Sequence, residues 1–156
     1  MERMDIMARA TDHHDQQLDT SQRTILPRVL IVDDEAAILF AYRRLLEKDG
    51  VAVDTCETLA GAIEHIERNT YMAIIVDLRL EGTDNDDGRK ILEHAHQIAP
   101  TTPVIVITGY GTKELKSAIQ TMGAKYYFEK PVEPMIILES IRCLRSNRSG
   151  ATRCDD

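Results

Sequence analysis

No apolar run in the sequence approaches the roughly 20 residues that a bilayer-spanning helix requires, so a transmembrane helix is not expected. The N-terminus is polar and has no apolar segment that could act as a secretion leader. Positive charge is in short supply: 19 Lys and Arg stand against 26 Asp and Glu, a formal net charge of −7. Without a basic stripe the chain cannot replace counterions along nucleic-acid phosphates, and no direct nucleic-acid partner is expected. Cysteine is sparse as well. Cys56, Cys143 and Cys154 are widely spaced and include no CxxC pair, which fits reduced thiols better than a disulfide or zinc framework. These absences together predict a cytoplasmic protein with no membrane partner.

What remains is an ordinary globular composition. The 156 residues, 43% of them hydrophobic, support one domain with a proper core and hardly two. Residues 1–26 show no sustained periodicity and read as a flexible extension, in which His13 and His14 are adjacent solvated side chains. The folded unit is expected over 27–146, followed by a polar tail over 147–156 that frays from about Arg145.

Within that unit the chain is organised around residues 71–77, an apolar run that stops at a carboxylate, Asp77. A short β-branched run of this kind reads as a strand buried on both faces of a parallel sheet. Further strands are expected at 29–32, 51–53, 104–107 and 124–128. Helices are expected from Glu35 to about Lys48, from Thr55 or Glu57 to Asn69, from Gly88 to near Pro100, from beyond Gly111 to Gly123, and from Glu133 or Pro134 onward. Their inward stripes are Ile38, Tyr42, Leu45 and Leu46; Leu59, Ala62, Ile63 and Ile66; Ile91, Leu92, Ala95 and Ile98; Leu115, Ala118, Ile119 and Met122; and Ile137, Ile141 and Leu144. Met122 and Met135 read as core fillers. Five βα units in succession predict a parallel sheet covered on both faces, with right-handed crossovers.

In such sheets ligands gather beyond the carboxyl ends of the strands. Here one strand runs into Asp33 and Asp34, another ends at Asp77, a third at Thr108 and Gly109, and the last leads to Lys130 and Pro131. Three carboxylates, a hydroxyl and an ammonium are thereby delivered to one rim. Clustered carboxylates repel one another, and a hard divalent cation relieves that repulsion. Taken singly, each residue also has an ordinary reading: an aspartate at a strand end often caps a helix or turn, and Asp33 or Asp34 is placed to cap the helix at Glu35.

Taken in order, Val-Asp-Asp-Glu at 32–35, Asp77, Thr108-Gly109 and Lys130-Pro131 resemble the receiver domain of two-component response regulators over roughly 28–146. The resemblance implies an α/β, flavodoxin-like, doubly wound fold with a five-stranded sheet in the order 2-1-3-4-5. It implies Asp77 as phosphoacceptor, and Mg²⁺ held by Asp33, Asp34, Asp77 and the main-chain carbonyl of Arg79. It further implies Thr108 and Lys130 as partners of the phosphoryl oxygens, a cis bond before Pro131, and a switch in which Tyr127 turns inward as Thr108 moves. The implied donor is a sensor histidine kinase or a histidine phosphotransfer protein. Output would pass to a downstream protein through the fourth helix, fifth strand and fifth helix, with phosphorylation-dependent dimerisation on the same face. The chain would thus be a stand-alone signalling domain rather than an enzyme, apart from slow self-dephosphorylation.

The loop after Asp77 departs from the family pattern: residues 80–88 are longer than usual, lack proline and carry Glu81, Asp84, Asp86 and Asp87. Arg79 and Tyr110, each two residues beyond a site residue, match positions that govern water access in receivers, and both are bulky. They are expected to slow hydrolysis of an aspartyl phosphate. The competing reading on the same fold is a phosphorylation-independent interaction module. An aspartate-nucleophile phosphatase would need an acid two residues after the nucleophile, where this chain has Arg79. A flavin site would need a Gly/Ser/Thr-rich cradle after the first strand, which is missing.

Overall fold

The computed structural model describes residues 25–80 and 86–148. Strand and helix alternate throughout: β1 (Arg28–Val32), α1 (Ala36–Lys48), β2 (Ala52–Cys56), α2 (Leu59–Arg68), β3 (Ala73–Asp77), α3 (Asp87–Ile98), β4 (Val104–Thr108), α4 (Lys113–Thr121), β5 (Tyr126–Glu129) and α5 (Pro134–Arg148). The five strands are parallel and lie in the order β2-β1-β3-β4-β5. Strand order therefore reverses between β1 and β3, and a crevice opens where their connections leave in opposite directions.

Alternate residues of each strand feed opposite faces of the sheet. Val29, Ile31 and Ile75 pack with α1 and α5 through Leu39, Tyr42, Leu46, Ile137 and Ile141. Leu30, Val32, Ile74 and Val76 pack with α2, α3 and α4 through Ala62, Ile66, Ile91, Leu92 and Ile119. β3 and β4 are buried at every residue, as expected of central strands covered on both sides.

Local signals fix the element ends. The Thr58 hydroxyl accepts from Gly61 N–H at 3.1 Å and starts α2, and the Thr112 hydroxyl accepts from Leu115 N–H at 3.0 Å and starts α4. Gly50 takes φ +82 after α1, a left-handed value that favours glycine.

Several boundaries differ from expectation. Thr55 belongs to β2, and α2 begins only at Leu59, because Thr58 supplies the cap. β3 begins at Ala73 and α3 at Asp87. Ile98 and Met135, expected inside, are 51% and 47% exposed; Ile98 is the last residue of α3 and Met135 lies in the first turn of α5. α5 does not fray at Arg145: Arg142 Nη2 and Arg145 Nη2 lie 2.7 and 2.6 Å from the Asp49 carboxylate and tie α5 to the end of α1. Cys56 is a free thiol, and Cys154 lies outside the described residues. The expectations for 1–24, for the acidic residues 81–85 and for 149–156 lie outside the described residues.

Candidate functional site

The crevice is built from strand ends. Val32 and Val76 are register partners on neighbouring strands, so the next residues, Asp33 and Asp77, emerge side by side. β4 adds Thr108 next to Asp77, and Lys130 N–H donates to the Thr108 carbonyl at 2.8 Å, which holds the start of the β5–α5 connection against that end of β4. The Lys130–Pro131 peptide bond is cis. Tyr42 of α1 steadies the same connection by donating its hydroxyl to the Val132 carbonyl at 3.2 Å.

Asp33, Asp77 and Thr108 are only 2%, 4% and 1% exposed. The Lys130 ammonium stands between the two carboxylates, 3.1 Å from Asp33 Oδ2 and 3.0 Å from Asp77 Oδ2, and reaches Glu35 Oε1 at 3.2 Å. The second oxygens are engaged by main chain: Asp33 Oδ1 accepts from Glu35 N–H at 2.8 Å and Asp77 Oδ1 from Arg79 N–H at 3.0 Å. Neither aspartate caps α1 as the sequence suggested: the N-cap is Glu35, with no side-chain cap bond, and the Asp33 carboxylate instead closes a turn onto Glu35 N–H just ahead of the helix. Asp34 is half-buried and takes no hydrogen bond or ion pair among the described residues, while its charge acts on Asp77. The Thr108 hydroxyl accepts from Tyr110 N–H at 3.3 Å.

The electrostatics are unbalanced. Asp33, Asp34, Glu35 and Asp77 share one nearby ammonium. Burial, opposed by the Glu35 N–H and reinforced by Asp77, pushes the Asp33 carboxyl up to about 6. Burial likewise raises Asp77, against the Arg79 N–H and Lys130 and with the help of Asp34. Burial works against the charge of Lys130, but Asp77 and Asp33 outweigh it and hold the ammonium above its ordinary range. Oxygens of Asp33, Asp34 and Glu35 also fall within 4.8 Å of one another. An all-oxygen, carboxylate-rich donor set in charge excess fits a hard divalent cation such as Mg²⁺.

Of the residues singled out in the sequence, Asp33, Asp77, Thr108 and Lys130 converge within the crevice, and Asp34 borders it. Arg79 is held beside Asp77 by its main chain while its side chain is exposed over the mouth, where the guanidinium covers the Tyr110 ring. Tyr127 lies apart, on the α4 side: its ring packs against the second core cluster with Lys116 Nζ 6.0 Å from the ring centroid. Glu35 was read only as a helix opener. Its place three residues after Val32, the last core position of the first strand, is the signal that would have found it. His94 sits 3.2 Å from Glu67 and takes part in no metal cluster among the described residues.

Comparison with known proteins agrees with this geometry. A family profile described as the response regulator receiver domain matches residues 29–142. The photosynthetic apparatus regulatory protein RegA of Rhodobacter capsulatus is 30% identical over 105 residues, covering 67% of this chain and 55% of RegA. The alginate biosynthesis transcriptional regulatory protein AlgB of Pseudomonas putida is 35% identical over 107 residues, covering 69% of this chain and 23% of AlgB. The chain thus spans about half the length of one relative and about a quarter of the other. Among solved structures, a CheY-like receiver domain protein of Methanospirillum hungatei superposes with a TM-score of 0.73 at 32% identity, covering 81% of this chain and all of that one. The beryllofluoride-activated NtrC4 receiver domain dimer gives 0.69 at 30% identity, covering 77% and 97%.

Proposed function

Because the chain belongs to the response regulator receiver domain family of two-component signalling, we propose that Asp77 accepts a phosphoryl group from a histidine kinase or a histidine phosphotransfer protein. The observation that carries this reading is the Lys130 ammonium 3.0 Å from Asp77 Oδ2, in a crevice where that carboxylate is almost fully buried.

In the transfer, an Asp77 carboxylate oxygen attacks phosphorus as the donor's P–N bond breaks. The imidazole leaves with the bond's electron pair, and an acyl phosphate forms on Asp77. Such transfers depend on positioning and on neutralising charge over the phosphoryl oxygens. The β1–β3 register holds Asp77 in place, the Arg79 N–H fixes one of its oxygens, and Lys130 offers a positive charge to the incoming group. The Thr108 hydroxyl, now accepting from Tyr110 N–H, has a proton to donate to a phosphoryl oxygen. Asp33, Asp34, Asp77 and the Arg79 carbonyl would hold Mg²⁺, which when bound neutralises charge between carboxylates and phosphoryl group. The buried crevice limits water, so self-dephosphorylation is slow.

The unit that does this is 27–146, working in the cytoplasm. Its output is contact with a downstream protein through α4, β5 and α5, where Tyr127 is the switch, with phosphorylation-dependent dimerisation on the same face; that an activated receiver can dimerise is supported by likeness to NtrC4, whose beryllofluoride-activated receiver is a dimer. The test is addition of Mg²⁺ with beryllofluoride, followed by amide NMR. Shifts at Asp77, Thr108 and Lys130 that disappear in Asp77→Asn support the reading. Identical spectra with and without the salt would favour the phosphorylation-independent module instead.

A further inference from the structure

The Tyr127 hydroxyl is sealed from solvent and takes no hydrogen bond among the described residues. A buried hydroxyl without a partner is unfavourable, so packing rather than polarity keeps it where it is. What it packs against is Gly111, in the loop 109–112 between β4 and α4. A Cβ placed on Gly111 would stand 2.7 Å from Tyr127 Oη and 2.4 Å from Glu129 Oε1, well inside contact distance. Gly111 has no left-handed backbone, so it is room rather than conformation that calls for glycine. Gly109, in the same loop, has nothing within 4 Å of the equivalent position.

The two crowded neighbours differ in how they can respond. Glu129 is exposed and ends in a flexible side chain, so its carboxylate can swing into solvent. Tyr127 is rigid: its ring is wedged against the core beneath Lys116, and the hydroxyl cannot withdraw unless the whole ring turns. The same loop is anchored at its other end to the site, through the bond from Tyr110 N–H to the Thr108 hydroxyl.

We propose that Gly111 is the seat of Tyr127: its missing side chain admits the tyrosine hydroxyl beneath the β4–α4 loop, so the loop held by Thr108 sets where the tyrosine stands. Gly111 is on this account a positioning residue, one step removed from the phosphoryl group. The coupling to Thr108 rests on the phosphoacceptor reading above; the seating of Tyr127 does not.

The test uses the full chain labelled with 3-fluorotyrosine, the Tyr127 resonance being assigned by its loss in Tyr127→Phe. In ¹⁹F spectra without additives, Gly111→Ala is expected to displace the Tyr127 resonance, while Gly109→Ala leaves it in place. On addition of Mg²⁺ and beryllofluoride, the bound fluoride signals report occupancy of Asp77 independently. With those signals present, the Tyr127 resonance is expected to respond in the unaltered protein and in Gly109→Ala, and to stay fixed in Gly111→Ala. Should Gly111→Ala fold poorly, the same substitution in the Tyr127→Phe background is expected to recover a normal melting temperature, because the clashing oxygen is gone. A Tyr127 resonance indifferent to Gly111→Ala, or equal damage in both backgrounds, overturns the inference. Absence of bound fluoride in the unaltered protein overturns the phosphoacceptor reading and the coupling with it.

Discussion

The Arg79 guanidinium lies 4.2 Å from the centroid of the Tyr110 ring, joining the residue two beyond Asp77 to the residue two beyond Thr108 across the mouth of the crevice. Neither needs the other for folding, since both side chains are exposed. On the proposed phosphoacceptor role of Asp77, their contact would cover the approach of water to the phosphoryl group.

Truncating both side chains to alanine is therefore expected to shorten the lifetime of the aspartyl phosphate. An exposed cation–π contact contributes roughly 0.5–1 kcal/mol, which corresponds to a factor of about 2–5 in rate. Decay of radiolabelled phosphoprotein would measure it. An unchanged half-life would remove Arg79 and Tyr110 from the account.

Asp33 illustrates the difference between a group that stabilises the fold and one kept for function. Its carboxyl is raised to about 6 because burial penalises the charge, so at neutral pH the ionised form weighs against folding. Asp33→Asn is expected to raise the melting temperature of the magnesium-free protein, while Mg²⁺ then adds less stability than it does to the unaltered chain. Thermal melts with and without Mg²⁺ check both halves. An equal magnesium response in the two proteins would take Asp33 out of the cation site.

Asp49 behaves in the opposite sense. Hydrogen bonds from Arg142, set against a smaller opposing effect of burial and joined by Arg145, hold its carboxyl below the usual range. A group lowered on folding contributes stability above its unfolded pKa and loses it as pH falls through the folded value. Asp49→Asn should thus lower the melting temperature by a few degrees near pH 7. The gap should narrow below about pH 4 and in high salt, because Arg142 is exposed and Arg145 is only half-buried. A gap that is constant with pH would show that the clamp is not ionic.

Much of this was legible in the sequence. The run 71–77 and its neighbours announced buried parallel strands, because β-branched residues on both faces leave few alternatives, and four strand ends carried the polar residues that meet in the crevice. What was not legible depends on distance in space. Nothing in the spacing of Glu35 says that Lys130 reaches it, nor does chain separation foretell that Asp49 is gripped by two arginines near the far end of α5. Glycines conceal the most. Gly88 reads as a helix start, yet a Cβ there would lie 2.4 Å from Leu78 Cα, so its smallness lets α3 dock against the exit of β3. The start of α2 was misplaced for a simpler reason: Thr55 and Glu57 were the expected starts, but pairing with β1 draws Thr55 into β2 and the cap falls to Thr58.

The most direct measurement is intact-protein mass spectrometry after incubation with phosphoramidate and Mg²⁺, followed by borohydride trapping and peptide mapping. A single added phosphoryl group is expected, mapped to Asp77, requiring Mg²⁺ and absent in Asp77→Asn. A folded protein that gains no phosphoryl group, or gains it at another residue, would contradict the claim that this crevice readies Asp77 for transfer.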